Sequence, residues 1–157
     1  MMQMSASQST ALVTLRVLIG WHFLYEGITK IWDPYWSSAG FLNSSEWLLS
    51  GFFQWIAATP VLLAAADWLN QWGLLAIGFA LIAGLFSRPA CYAGFVLLLL
   101  YFFAHPPLVG LENPLPVESS YLIVNKNLIE AAALLVLALF PTSQIFGLDR
   151  LRIRNKS

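Results

Sequence analysis

Apolar residues run along this chain in four long blocks, residues 10–31, 60–86, 89–105 and 120–140, parted by polar or proline-bearing links. About 20 predominantly apolar residues make a helix that crosses a bilayer, so the blocks predict four membrane-spanning helices. Thr59-Pro60 gives the second a capping residue followed by proline at the first helical position. Continued to Phe86, that helix would be about 40 Å long and would protrude, leaving Asp67, Asn70 and Gln71 near the surface. Ala76, Ala80 and Gly84 recur every fourth residue, a small-residue stripe that lets membrane helices pack closely.

The links carry their own signals. In residues 45–57, Glu46, Ser50 and Gln54 share one helical face and Trp47, Leu48, Phe52, Trp55 and Ile56 the other. This predicts a short amphipathic helix with aromatics at headgroup level. Residues 105–120 hold four prolines, which predicts a stiff, extended connection with Ser119 or Ser120 capping the last helix.

Within the apolar blocks a few positions break the pattern. His22, Glu26 and Lys30 are spaced i, i+4, i+8 and so stack on one face of the first helix, with Arg16 below them. Asn125, Lys126, Asn127 and Glu130 interrupt the fourth block, and His105 closes the third. Ionisable groups inside a span are costly, so they face protein or water and mark a site. Helical rise puts Glu26 about 9 Å from the outer end of its helix, Lys126 about 8 Å and Glu130 about 14 Å, so the two constellations share a depth.

Composition narrows the class. Hydrophobic residues make up 59% and charged residues 10%, against about a quarter charged in soluble domains. The chain therefore reads as a single all-α domain, an integral membrane four-helix bundle with a short interfacial helix in its first outer loop. Net charge is zero, so nothing points to nucleic acid. Cys91 is the only cysteine, which excludes an internal disulfide and reads as a buried, inert thiol. The N-terminal residues lack a basic region and cleavage site, so the first span is expected to be retained. Arg88 and the cluster Arg150, Arg152, Arg154 and Lys156 fall on one side of an even number of spans. The positive-inside bias makes that side cytoplasmic, with both termini inside, both long links outside, and Arg16 near enough to the inner end to snorkel, or else serving as a topology anchor or helix–helix partner.

Three chemistries suit the polar positions. A quinone site needs an apolar cleft and a few hydrogen-bonding or proton-exchanging groups. His22, Glu26, Lys30, His105, Asn125, Lys126 and Glu130, ringed by Trp21, Phe23, Tyr25 and Tyr121, would supply these. The same residues would equally serve as a salt-bridge network pinning the first and fourth helices together. Haem held between His22 and His105 has less behind it, since two histidines are close to expectation for this length and nothing else points to haem or to a metal.

The run RVLIGWHFLYEGITKIWDP, the turn GLFSRP, the opening YLIVNKNLIEAA of the fourth block and the tail GLDR resemble, in order and spacing, the DoxX family of small four-helix membrane proteins. The resemblance covers nearly the whole chain. It implies a relation to the membrane subunit of thiosulfate:quinone oxidoreductase, with Arg16, Gly20, Gly27 and Lys30 on the general first-helix pattern. The expected role is the quinone-interacting or membrane subunit of an oxidoreductase in a bacterial inner membrane. Its partners would be the lipid bilayer and an oxidoreductase subunit, and a homo-oligomer stays open. A non-catalytic scaffold for a partner enzyme and a small lipid-binding protein remain the alternatives.

Overall fold

The computed structural model describes residues 4–107, 123–140 and 142–150. Its elements are α1 (Ala6–Trp32), α2 (Ala39–Asn43), α3 (Ser50–Ala58), α4 (Pro60–Ala83), α5 (Ser87–Ala104), α6 (Lys126–Leu139) and a 3-10 turn at Thr142–Gln144. Among the described residues the chain is helical, and α1, α4 and α5 are each long and apolar enough to cross a membrane.

Local chemistry sets the boundaries. The α1 helix starts at Ala6, earlier than the apolar block, because Ser5 and Gln8 form a reciprocal capping box. The α4 helix starts at Pro60 as expected but stops at Ala83, about 36 Å long, because Gly84 adopts a left-handed conformation (φ 64°) and turns the chain. The fourth block yields a helix only from Lys126. The Asn125 side chain accepts the Leu128 amide at 3.0 Å and caps the helix there. This replaces the expected start near residue 120; the expected serine cap at Ser119 or Ser120 and most of the proline-bearing link lie outside the described residues. The expected helix over 45–57 is likewise corrected. The segment contains a turn up to Leu49, held where Gln54 Nε2 donates to the Ser45 carbonyl, and the helix proper is α3, with Phe53 buried.

The helices run alternately up and down. Contacts at Gly20 and Gly27 set α1 antiparallel to α4. Gly94 of α5 packs on Leu134 of α6, Phe23 of α1 and Ile77 of α4. Phe23, Leu81, Leu134 and Ala138 are almost wholly buried at the centre. The closest backbone approach of α1 to α4 is at Gly78, while Ala80 packs against the core and Gly84 lies against Gly147 and the Arg16 side chain. Ala76 is exposed, while Leu74, Ile77, Gly78 and Leu81 form the buried face.

Polarity is inverted relative to a soluble domain. Arg16 is 3% exposed, whereas Leu18 and Trp21 on the same helix are about 60% exposed, at 62% and 58%. Exposed apolar side chains also cover α4 (Leu69, Trp72, Phe79) and α5 (Val96, Leu100). Apolar surface on this scale calls for an apolar surround.

Arg16 does not snorkel. Its guanidinium donates to Thr142 Oγ1 at 3.1 Å and to the Phe146 carbonyl at 2.6 Å. Acceptors after α6 thus hold the cation inside the protein, which is a nearer solution than reaching the surface. That segment also caps the α4–α5 turn. The Asp149 carboxylate accepts the Phe86 and Ser87 amides, and the Leu148 and Asp149 amides donate to the Ala83 and Gly84 carbonyls. Gly147 makes the approach possible, its Cα lying 2.6 Å from where a Cβ on Gly84 would be.

Candidate functional site

At the end opposite Arg16, α1 and α6 bring acid and base side chains together. Four-residue spacing stacks His22, Glu26 and Lys30, and Lys30 Nζ meets Glu26 Oε2 at 2.5 Å. Lys30 Nζ also lies 5.6 Å from the centre of the Trp36 ring, within cation–π range. His22 Nδ1 meets Glu130 Oε1 at 2.8 Å across the helix interface. The Glu130 side chain is 10% exposed, and its second oxygen, Oε2, is buried without a hydrogen-bond partner.

Three cavities open around these groups. The innermost, about 160 Å³, is bounded by His22, Glu26, Tyr101, Lys126 and Asn127 over the apolar Phe23, Leu74 and Leu98. A second of about 270 Å³ shares Glu26, Tyr101 and Asn127 with it and reaches outward to Lys30, Trp36, Ser37 and Ser38. The third, about 430 Å³, is an open groove between α1 and α6. It shares His22 and Lys126 with the innermost cavity and is otherwise walled by Glu130 and by apolar residues such as Leu15, Ile19 and Ile129. The first cavity shares wall residues with each of the other two, so the three are neighbours around His22, Glu26 and Lys126, and the groove is the most apolar of them.

The outer cavity has a fixed roof. The Asp67 carboxylate accepts the Ser38 amide at 2.7 Å, Ser38 Oγ at 2.5 Å and Ser37 Oγ at 2.9 Å, which fastens the α1–α2 link to α4. Tyr101 OH donates to Asn70 Oδ1 at 2.9 Å, orienting the phenol that walls two cavities.

The expected site residues therefore divide. His22, Glu26, Lys30, Lys126 and Glu130 line the connected cavities, whereas His105 and Asn125 do not. His105 Nε2 lies 2.8 Å from the Phe41 carbonyl, which can only accept, so that nitrogen carries the proton and ties α5 to α2. The same nitrogen lies 3.4 Å from Ser44 Oγ. Asn125 is occupied by its capping role. The expected aromatic ring opens as well: Phe23 is buried at the cavity wall, but Trp21 and Tyr25 face outward and Tyr121 lies outside the described residues.

The sequence pattern singled out neither Tyr101 nor Trp36 and placed Asn70 only near the surface. The Asn70 contact is what marks Tyr101 as a cavity phenol. Among the described residues no group of three or more His, Cys, Asp or Glu is placed to hold a metal ion. Comparison with family models, with curated proteins and with solved structures finds no match to this chain.

Proposed function

We propose that the chain is a DoxX-like four-helix protein of a bacterial inner membrane that binds the head group of a quinone-type amphiphile, as the membrane subunit of an oxidoreductase. The observation that supports the reading is the adjacency of a cavity walled by His22, Glu26 and Lys126 to an open apolar groove between α1 and α6, the two sharing His22 and Lys126. An amphiphile dissolved in the bilayer enters a membrane protein sideways, tail along the groove and ring inward. Binding sites for such ligands combine apolar walls with a few placed polar groups, which is the balance found here.

In this reading α1, α4, α5 and α6 are the four spans and α3 lies in the interface. At about 21 Å, α6 is shorter than the hydrocarbon core of about 30 Å. Its flanks complete the crossing: Asn125, Thr142 and Ser143 are buried in protein, where non-helical backbone is tolerated at membrane depth. Arg16, Arg88 and Arg150 fall at one end, which the positive-inside bias makes cytoplasmic, with the cavities in the outer leaflet.

The test is purification in a mild detergent followed by mass spectrometry of every retained molecule, for wild type and for Ala133→Trp, which narrows the groove. Quinone retained by wild type and lost from the folded variant supports the reading, and a co-purifying soluble oxidoreductase supports the subunit role. Equal retention of bulk phospholipid alone by both would favour a scaffold and defeat the quinone site.

A further inference from the structure

His22 is engaged at one ring nitrogen and open at the other. Nδ1 meets Glu130 Oε1 at 2.8 Å, and the His22 side chain is 30% exposed where that of Glu130 is 10% exposed. Among the described residues Nε2 makes no hydrogen bond, and unlike Glu130 Oε2 it is not buried. His22 walls both the innermost cavity and the groove, so the open side of its ring faces the space a ligand would fill. A contact of that length needs one proton between Nδ1 and Oε1, since two lone pairs would repel. With that proton alone, Nε2 is bare and only accepts. With one proton more, Nε2 carries it and only donates, whether the shared proton lies nearer Nδ1 or Oε1. The state of Nε2 thus follows the proton count of the pair and not the position of the shared proton.

We propose that His22, with Glu130 as its positioning residue, is the proton-exchanging group of the site: a carbonyl-bearing head group binding at Nε2 draws one proton from solution onto the pair. The proposal rests on the quinone reading above and adds which atom meets the ring and what binding does to the proton balance. A carbonyl oxygen only accepts, so it forms a hydrogen bond with Nε2–H and none with bare Nε2. A ligand that prefers the protonated pair raises the proton affinity of that pair by the same factor, because the coupling is reciprocal. The step moves one proton and no electrons. An N–H bond forms at Nε2, the proton comes from water or buffer, and the pair loses its net negative charge. Other charged groups face the same cavity: Lys126 from α6, and Glu26, paired with Lys30, from α1. The α5 helix adds Tyr101 and α4 only the apolar Leu74. Glu26 is the rival acceptor for the proton, and replacing His22 separates the two.

The experiment is isothermal titration of the detergent-purified chain with decylubiquinone, in two buffers of different ionisation enthalpy, from about pH 6 to about pH 9. The difference in heat between buffers counts the protons taken up on binding. Wild type should take up about one proton per quinone toward the upper end of the range, and should bind up to about tenfold more weakly for each pH unit gained. His22→Gln keeps a donor but has no titrating atom, so it should bind with neither uptake nor slope. Glu130→Gln still accepts from Nδ1 but carries no charge to favour the added proton, so its uptake should shift at least about one pH unit lower. Wild-type binding without uptake anywhere in the range, or uptake that persists in His22→Gln, overturns the inference while leaving a quinone site in place. An unshifted profile in Glu130→Gln overturns the role given to Glu130. Absence of quinone binding defeats the quinone reading itself, and this inference with it. The wild-type measurement decides alone if His22→Gln does not fold.

Discussion

Gly78 and Leu24 touch through their backbones: a Cβ on Gly78 would lie 2.4 Å from the Leu24 amide nitrogen. It would also lie 2.7 Å from the Gly20 carbonyl oxygen, and neither backbone atom can swing aside. Gly78→Ala should therefore push α1 and α4 apart and cost about 1–3 kcal/mol. Gly73, on the same helix, has nothing within 4 Å of an added Cβ. Gly73→Ala should be neutral or stabilise by up to about 1 kcal/mol through helix propensity. Thermal unfolding of both variants in one detergent checks the contrast, and similar losses in the two would refute it.

The roof of the outer cavity hangs on Asp67. Asp67→Asn keeps the shape but turns one acceptor oxygen into a donor facing the Ser37 and Ser38 hydroxyls and the Ser38 amide. Hydrogen bonds to a charged acceptor contribute about 1.5–3 kcal/mol each, so part of that should be lost. The expected signature in hydrogen exchange is local: faster exchange of the Ser38 amide, with the centres of α4 and α5 unchanged.

Arg16 and Asp149 fasten the segment after α6 to the rest of the molecule. Arg16→Met removes the donors to Thr142 Oγ1 and the Phe146 carbonyl without changing length much. Exchange at the Leu148 and Asp149 amides, which donate to the Ala83 and Gly84 carbonyls, should rise at least tenfold. Asp149→Ala removes the acceptor for the first amides of α5 and should cost about 0.5–2 kcal/mol, as loss of a cap does.

The His22–Glu130 contact predicts a non-additive pair. His22→Leu leaves a nine-tenths-buried carboxyl group with both oxygens unpartnered and should cost about 1–3 kcal/mol. Replacing Glu130 by Leu as well removes the stranded group, so the double variant should be more stable than His22→Leu alone. Additive losses in thermal unfolding would mean the two side chains do not interact.

How far these features were legible depends on whether their cause is local. The starts of α1 and α4 are written beside them, in Ser5 with Gln8 and in Pro60, although Thr59 Oγ1 donates back to the Trp55 carbonyl rather than capping α4. The Asn125 cap is equally local, but the apolar run before it masks the signal. Which face of α4 packs inward is not local. Outward-facing and core-facing residues are both apolar here, so periodicity cannot tell that Ala76 is exposed while Gly78 is buried. In the site, four-residue spacing correctly aligns His22, Glu26 and Lys30. It also suggests pairing Lys126 with Glu130, but Glu130 turns to His22 across the interface instead. Asp149 on the α5 amides and His105 on Phe41 join residues more than 60 apart, and no spacing rule encodes them.

The central claim, a bilayer-fed amphiphile site between α1 and α6, is tested most directly by photolabelling. Membranes containing the chain would be illuminated with a long-chain quinone bearing an azide on its ring, with and without excess unlabelled quinone, and the adducts mapped by peptide mass spectrometry. The account predicts competable labels confined to residues 15–22 and 126–133, with the outward faces of α4 and α5 unlabelled. Labels scattered over Leu69, Trp72 and Val96, indifferent to competitor, would contradict it.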